Sequence, residues 1–320
     1  MTTMNEPKKI MIAYDGSECA NVAIDDLRRA GLPQEAEALI VSVAEVWLPP
    51  PADEDDSENL EAAPPTPAVV KRMWARRERI IEHAKELAER ASKRVRYNFP
   101  KWQVRCEALT GSPAWELLKL DAEWQPNLIV VGSHGRTAIG RFALGSVSQR
   151  VLSEAACSVR VARGKTSVGE PPQRLVIGVD GSSGALLAVK EVAVRNWKAG
   201  SAAHVVVVND PFVPPLVGSA LPPIAEAGIE ANDEIRAWAD KIGERAVAEL
   251  RGSSLTVSSV IEAGDPKRVL VSYAEDSEAD VIFVGSTGYS SSAERILLGS
   301  VSAAVAARAS CSVEVVRGRR

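Results

Sequence analysis

Residues 130–146 read V-V-G-S-H-G-R-T-A-I-G-R-F-A-L-G-S, and residues 283–300 read F-V-G-S-T-G-Y-S-S-S-A-E-R-I-L-L-G-S. Each stretch begins on an apolar run and leads into a helical pattern. Each is therefore a glycine-rich turn between a strand and a helix, where backbone N–H groups can hold phosphate. Over a hundred residues upstream of each stands an apolar run ending in Asp-Gly-Ser, I-A-Y-D-G-S at 12–17 and I-G-V-D-G-S at 177–182. Asp15 and Asp180 are 165 residues apart, Gly132 and Gly285 are 153 apart, and Gly145 and Gly299 are 154 apart. The drift puts twelve extra residues in the first copy and one extra inside the second glycine loop. The chain is one unit of roughly 150 residues written twice, each copy long enough to bury its own core.

Composition agrees with two ordinary globular domains: 320 residues, 46% hydrophobic and 25% charged. The N-terminus carries no stretch of signal-peptide type, and no segment approaches the ~18 apolar residues of a membrane span. The expectation is a cytoplasmic protein without a membrane partner. A net charge of −4 argues against bulk nucleic-acid binding, whose footprint is strongly basic. The four cysteines show no C-x-x-C spacing. Cys157 and Cys311 stand at equivalent positions before the last strand of each copy and read as small buried hydrophobes.

Along copy one the pattern predicts strands at 9–14, 38–46, 102–109, 128–131 and 159–162, with helices between them. Copy two repeats the order at 175–179, 203–208, 255–261, 281–284 and 313–316. This predicts an α/β chain of two tandem, doubly wound, five-stranded parallel-sheet domains of Rossmann-like kind, spanning 6–165 and 173–318. Residues 48–67 hold six acids, six prolines and no base, which marks an insertion at the surface. The long helix after it, 68–97, is as basic as the insertion is acidic.

Ligands of open parallel sheets sit beyond the carboxyl ends of strands, where chain order reverses. Asp15 and Asp180 end the first strands there, and the glycine loops follow the fourth. Gly132 and Gly135 suit tight turning and close approach to phosphate. Gly145-Ser146 opens a helix, and Ser146 to Gln149 has the form of a capping box. A helix N-terminus of this kind is an anion site. There is no G-x-x-x-x-G-K-[ST] and no G-x-S-x-G, so neither a P-loop ATPase nor an α/β-hydrolase is indicated. A dinucleotide fingerprint follows the first strand, not the fourth, which disfavours an NAD enzyme.

The pattern G-x2-G-x9-G-[ST] with an upstream Asp resembles the universal stress protein family in its tandem form. The resemblance covers nearly the whole chain. It implies that ATP, with magnesium, is held in the manner of the family's nucleotide-binding branch. Asp15, the backbone near Val43, Val131 and Gly132 would face adenine; Gly135, Gly145, Ser146, Val147 and Ser148 would take ribose and phosphates. The copy-two equivalents are Asp180, Val208, Val284, Gly285, Gly288, Gly299, Ser300, Val301 and Ser302. Copy two departs from the spacing by one residue and carries Glu294, where copy one has Arg136 and Arg141. A carboxylate repels phosphate and guanidinium attracts it, so copy one is expected to bind more tightly. Ser158 and Ser312 stand where the family usually has Pro, a departure expected to touch an edge only. The resemblance also implies that last-strand edges pair domains, here the two copies with each other or two chains in a homodimer. The expectation is a nucleotide-binding stress-response regulator that is not an enzyme beyond slow ATP hydrolysis. The alternatives are a nucleotide-independent interaction module and a slow hydrolase.

Overall fold

The computed structural model of the chain describes residues 7–46, 68–135, 144–164, 169, 171–209, 222–288 and 298–318. The acidic insertion and the interiors of both glycine loops, with Arg136, Arg141 and Glu294, lie outside the described residues. Copy one runs β1 (Lys8–Ala13), α1 (Glu18–Asp26) with a 3-10 turn at Leu27–Arg29, β2 (Ala36–Ala44), α2 (Ala68–Asn98), β3 (Gln103–Thr110), α3 (Pro113–Trp124), β4 (Leu128–Gly132), α4 (Ser146–Glu154) and β5 (Ser158–Ala162). Copy two runs β6 (Arg174–Val179), α5 (Ser183–Ala193), β7 (Ala202–Asn209), α6 (Pro222–Glu249), β8 (Thr256–Ala263), α7 (Pro266–Asp276), β9 (Val281–Gly285), α8 (Ser300–Arg308) and β10 (Ser312–Val316). Element boundaries fall within two residues of the sequence reading at most positions.

All ten strands form one sheet, in the order β3-β2-β1-β4-β5-β10-β9-β6-β7-β8. Within each copy neighbouring strands are parallel, as crossover helices require. The two copies meet through β5 and β10, which pair antiparallel with Val313 opposite Val161, Glu314 opposite Arg160 and Val315 opposite Val159. One face of the sheet carries a core continuous across both copies, in which Val159 and Val313 join Ile129, Ile282, Leu152 and Val305 under α3, α4, α7 and α8. The other face carries two separate cores. One lies beneath α1 and α2 around Ile10, Ile12 and Leu87, the other beneath α5 and α6 around Leu175, Ile177 and Leu250.

The gap between those two cores is filled by charge. Side chains alternate along a strand, so Arg160 and Glu314 point away from the continuous core and towards the ends of α1 and α5. Arg160 Nε bonds Asp26 Oδ2 at 2.5 Å, and its Nη1 bonds Glu314 Oε2 at 3.2 Å. Arg195 reaches Glu314 with both terminal nitrogens, and it also bonds Glu191 Oε1 at 2.9 Å. Lys8 pairs with Glu191 in turn. The signs alternate from Asp26 through Arg160, Glu314, Arg195 and Glu191 to Lys8, three residues from each copy. Arg160 and Glu314 are essentially unexposed.

The junction is reciprocal in its polar detail. Ser312 Oγ accepts the Arg163 N–H at 3.0 Å, and Ser158 Oγ accepts the Arg317 N–H at 3.1 Å. Arg163 Nη1 donates to the carbonyl of Ala306 at 2.6 Å, and Arg317 Nη2 to that of Leu152 at 2.5 Å. Each copy's last arginine therefore caps the C-terminal turn of the other copy's helix, where carbonyls point outward and positive charge is favoured. Ser158 and Ser312 thus do more than edit an edge. A proline at either position would lack the hydroxyl that meets the opposite copy. Cys157 and Cys311 are buried as read, and burial pushes the Cys311 thiol up to about 12.

Removing Arg160 takes the guanidinium from buried Asp26 and leaves buried Glu314 with Arg195 alone. Arg160→Met is expected to cost about 3–5 kcal/mol of unfolding free energy, read from urea melts; a loss below 1 kcal/mol would mean that the junction does not rely on this charge. The second expectation concerns acid. Burial opposes ionisation of Glu191, but Arg195 and Lys8 outweigh it and hold its carboxyl below the ordinary value of 4.5. A depressed pKa contributes stability that is complete above the unfolded value and lost as pH falls through the folded one. Glu191→Gln should therefore flatten the acid limb of stability below pH 4.5 and leave its slope at neutral pH unchanged.

Candidate functional site

The two Asp-Gly-Ser triplets fold into the same turn for the same reasons. Asp15 Oδ1 accepts the Ser17 N–H at 2.9 Å, and Asp180 Oδ1 accepts that of Ser182 at 3.0 Å. The glycine between must turn left-handed, with φ of 82° at Gly16 and 81° at Gly181, a region open to glycine at no steric cost. The serine then caps its helix: Ser17 Oγ accepts the Ala20 N–H, and Ser182 Oγ that of Ala185, each at 3.1 Å. One carboxylate oxygen of each Asp is thus committed to holding the turn.

The other oxygen faces the glycine loop. A Cβ added at Gly135 would lie 3.1 Å from Asp15 Oδ2, and one at Gly288 would lie 3.0 Å from Asp180 Oδ2. The end of the first strand and the start of the loop are therefore in contact across the switch point between β1 and β4, and between β6 and β9. Each loop is pinched at its neck, where the Gly145 N–H bonds the Ser133 carbonyl at 2.8 Å and the Gly299 N–H bonds that of Ser286 at 2.7 Å. Beyond the neck, α4 and α8 start with Gly145 and Gly299 as N-caps, and neither helix has a side-chain cap. Ser146 and Ser300 are exposed on those first turns.

Two site readings change. Ser146 is the first helical residue, so no capping box forms. Ser148, buried with Ser302, instead donates its hydroxyl to the Gly132 carbonyl at 2.6 Å, and Ser302 donates to Gly285 at 2.5 Å. These serines lock the helix to the end of the strand, and the hydroxyl proton is already used. Gly132 and Gly285 also answer to packing before any ligand. A Cβ at Gly132 would stand 2.9 Å from the Cys19 carbonyl carbon, and one at Gly285 would stand 2.4 Å from that of Gly184. Both glycines let a helix that follows a different strand, α1 against β4 and α5 against β9, lie directly on the strand end.

The apolar members sit close to the switch point. Val131 and Val284 are buried in the continuous core, with Val43, Val208, Val147 and Val301 partly buried against it. The copies differ where the loop meets the helix. Copy two has Gly184 where copy one has Cys19, and the Thr287 carbonyl packs into the space, 2.5 Å from where a Gly184 Cβ would be. Ser182 Oγ also lies 3.3 Å from that carbonyl, as donor. In copy one the Cys19 side chain fills the space and meets the Ser133 hydroxyl at 3.7 Å. His134 Nδ1 lies 3.1 Å from Ser133 Oγ, and its buried Nε2 has no hydrogen-bond partner. Burial, with Arg163 nearby, lowers the His134 pKa and favours the neutral ring. Copy two has Thr287 at the equivalent position, so the repeat does not single out His134; an orphaned buried nitrogen is visible only in three dimensions.

Among the described residues, no helix is long and apolar enough to cross a membrane, and no cluster of three or more His, Cys, Asp or Glu is placed to hold a metal.

Comparison with known proteins returns one answer for both halves. The family described as the universal stress protein family matches residues 6–163 and 172–317. A universal stress protein of Mycobacterium tuberculosis is 29% identical over 252 residues, covering 74% of this chain and 76% of the relative. One from Methanocaldococcus jannaschii is 30% identical over 158 residues, covering 49% of this chain and 82% of its own. The crystal structure of a universal stress protein from Archaeoglobus fulgidus superposes with a TM-score of 0.61 at 21% identity, covering 98% of this chain and 99% of that one, which shows the fold. With a match to each of its two α/β copies, this chain belongs to the universal stress protein family.

Proposed function

We propose that the chain binds ATP and acts as a stress-response regulator, with the nucleotide held more tightly in copy one than in copy two. The observation that carries the reading is the close approach of Asp15 Oδ2 to Gly135, 3.1 Å from where a Cβ there would stand, beside the uncapped start of α4. Adenine would lie near Asp15, Val43 and Val131. Phosphates would meet the first N–H groups of α4 and the Ser146 hydroxyl, where the helix dipole favours negative charge. The orphaned His134 Nε2 supplies a further polar atom at the loop, so the residues fit a nucleotide. Gly145, Val147 and Ser148 shape that cradle from behind. Copy two has the same parts, but Thr287 leans on α5, which supports the weaker binding there. Magnesium would neutralise phosphate charge when bound.

Catalysis has less support. The acid of the site, Asp15, is tied to its own turn through Oδ1, so turnover is at most slow in this reading. Function as a cytoplasmic regulator, presenting a different surface with and without nucleotide, follows from binding without chemistry.

The test is to purify the protein without added nucleotide, denature it and count the adenine nucleotide released. The expected result is about one ATP per chain, lost in Gly135→Glu and retained in Gly288→Glu. No release, together with no binding on adding ATP and magnesium, would sink the reading. A second contrast separates packing from binding. Gly132→Ala and Gly285→Ala place a methyl against backbone, at 2.9 and 2.4 Å, and should each cost about 1–3 kcal/mol of stability, with Gly285 the worse. Gly135→Ala meets only a side-chain oxygen at 3.1 Å and should melt within about 0.5 kcal/mol of the parent. Equal losses at Gly132 and Gly135 would contradict this division of labour.

A further inference from the structure

The clefts between the first and second helices of each copy are built alike and filled differently. Registers of 165 residues for the strand and first helix, and 155 for the second helix, align the two. At the latter spacing Ala84 and Ala239, Ala91 and Ala246, and Val95 and Leu250 are matched buried pairs. In copy one the cleft is shut by a polar cluster around Tyr14, which is 5% exposed. Its hydroxyl donates to Asn21 Oδ1 at 2.8 Å, and Arg94 ties Asn21 at 3.3 Å to Asp25 at 3.0 Å.

Copy two has Val179 for Tyr14, Leu186 for Asn21, Lys190 for Asp25 and Glu249 for Arg94. The ring and its polar cluster are gone. What is left between α5 and α6 is an open cleft of about 250 Å³. Its floor is apolar, formed by Val179, Ala185, Val189 and Ile242, and its lip carries Trp238, Lys241 and Arg245. Trp238 is 47% exposed. Among the described residues, neither Lys241 nor Arg245 makes a salt bridge. Their copy-one equivalents are Glu86 and Arg90, a pair of opposite sign; the lip of copy two is doubly positive.

We propose that this cleft is a second ligand site, confined to copy two, for a small amphipathic carboxylate with an aryl or medium-length alkyl body. Apolar walls with a few convergent polar groups are the usual make-up of a small-molecule site. A dry apolar cavity of roughly 150 Å³ takes benzene, so the space here accommodates one ring with a short tail, or a chain of about eight carbons. The body lies on Val179, Val189 and Ile242, with Trp238 offering a flat face alongside. The carboxylate meets Lys241 and Arg245, two cations that form no salt bridge among the described residues and stand beside apolar surface. The cleft opens on the α5–α6 face and reaches the Asp180 turn through Gly181 and Ser182, whereas the second glycine loop leads into α8 on the opposite face of the sheet.

The intact chain would be titrated with octanoate and 3-phenylpropionate by calorimetry and tryptophan fluorescence, with 1-octanol and octylamine as chemical controls. Octanoate should bind one per chain, about fivefold or more tighter than octanol, with octylamine weaker still. Lys241→Glu, which installs the copy-one residue at a surface position, should weaken octanoate about fivefold and leave octanol unchanged. Val179→Tyr, which rebuilds the copy-one plug, should abolish binding of both. Glu86→Lys, the reverse change in copy one, should alter neither. Equal affinity for octanoate and octanol in parent and Lys241→Glu, or no saturable binding at all, would overturn the proposal. So would self-association of the chain that Val179→Tyr disrupts, since a second copy would then be the occupant.

Discussion

The antiparallel pairing of β5 with β10 is the constraint on which the rest of the molecule depends. It turns two five-stranded sheets into one of ten, makes one hydrophobic face continuous, and leaves no last-strand edge exposed. The centre of that pairing is a buried arginine opposite a buried glutamate, and a charge at such depth is tolerated only when its partners are fully in place. Arg160 answers Asp26 on its own copy and Glu314 on the other; Glu314 answers Arg195. Buried ion pairs are weak contributors to net stability and strong discriminators among arrangements. Two copy-one edges brought together in this register would set Arg160 against Arg160, and two copy-two edges would set Glu314 against Glu314. The duplicated halves have become complementary instead of equivalent.

That junction sits at one end of each site-bearing strand pair. β4 and β9 lie between the first strands and the junction strands, so the glycine loops stand on strands held from both sides. The necks of the loops, the serines at 148 and 302, and the Asp-Gly-Ser turns are all bound internally. What remains for a ligand is a rigid frame with an uncapped helix start. The frame is nearly identical in the two copies, while small substitutions at its margins, Cys19 against Gly184 and His134 against Thr287, separate them. The same logic holds at the helical cleft, where Tyr14 against Val179 decides whether space is filled.

Much of this was legible in the linear chain. Apolar runs alternating with helical periodicity located every strand, because strand and helix patterning are local properties. The turn chemistry of Asp-Gly-Ser is equally local, since an Asx turn, a left-handed glycine and a helix cap each need a particular residue at a particular place, but the structure was needed to show it. Other readings failed where a residue's partner lies far off in sequence. Ser146 to Gln149 has the spacing of a capping box, but Ser146 is already helical and the serine that bonds is Ser148, whose hydroxyl is drawn to the Gly132 carbonyl, 16 residues earlier. Ser158 and Ser312 looked like edge positions, yet each bonds the opposite copy, 159 and 149 residues away.

By itself the sequence determined the duplication, the α/β class, the order of elements and the place of the switch point, because periodicity and turn preferences act over a few residues. Tertiary structure alone decided that the two sheets fuse, that Gly132 serves helix packing before any ligand, and that copy two keeps an open cleft. Each of those depends on distances between groups separated by tens to hundreds of residues, where close packing and the cost of burying charge select the partner.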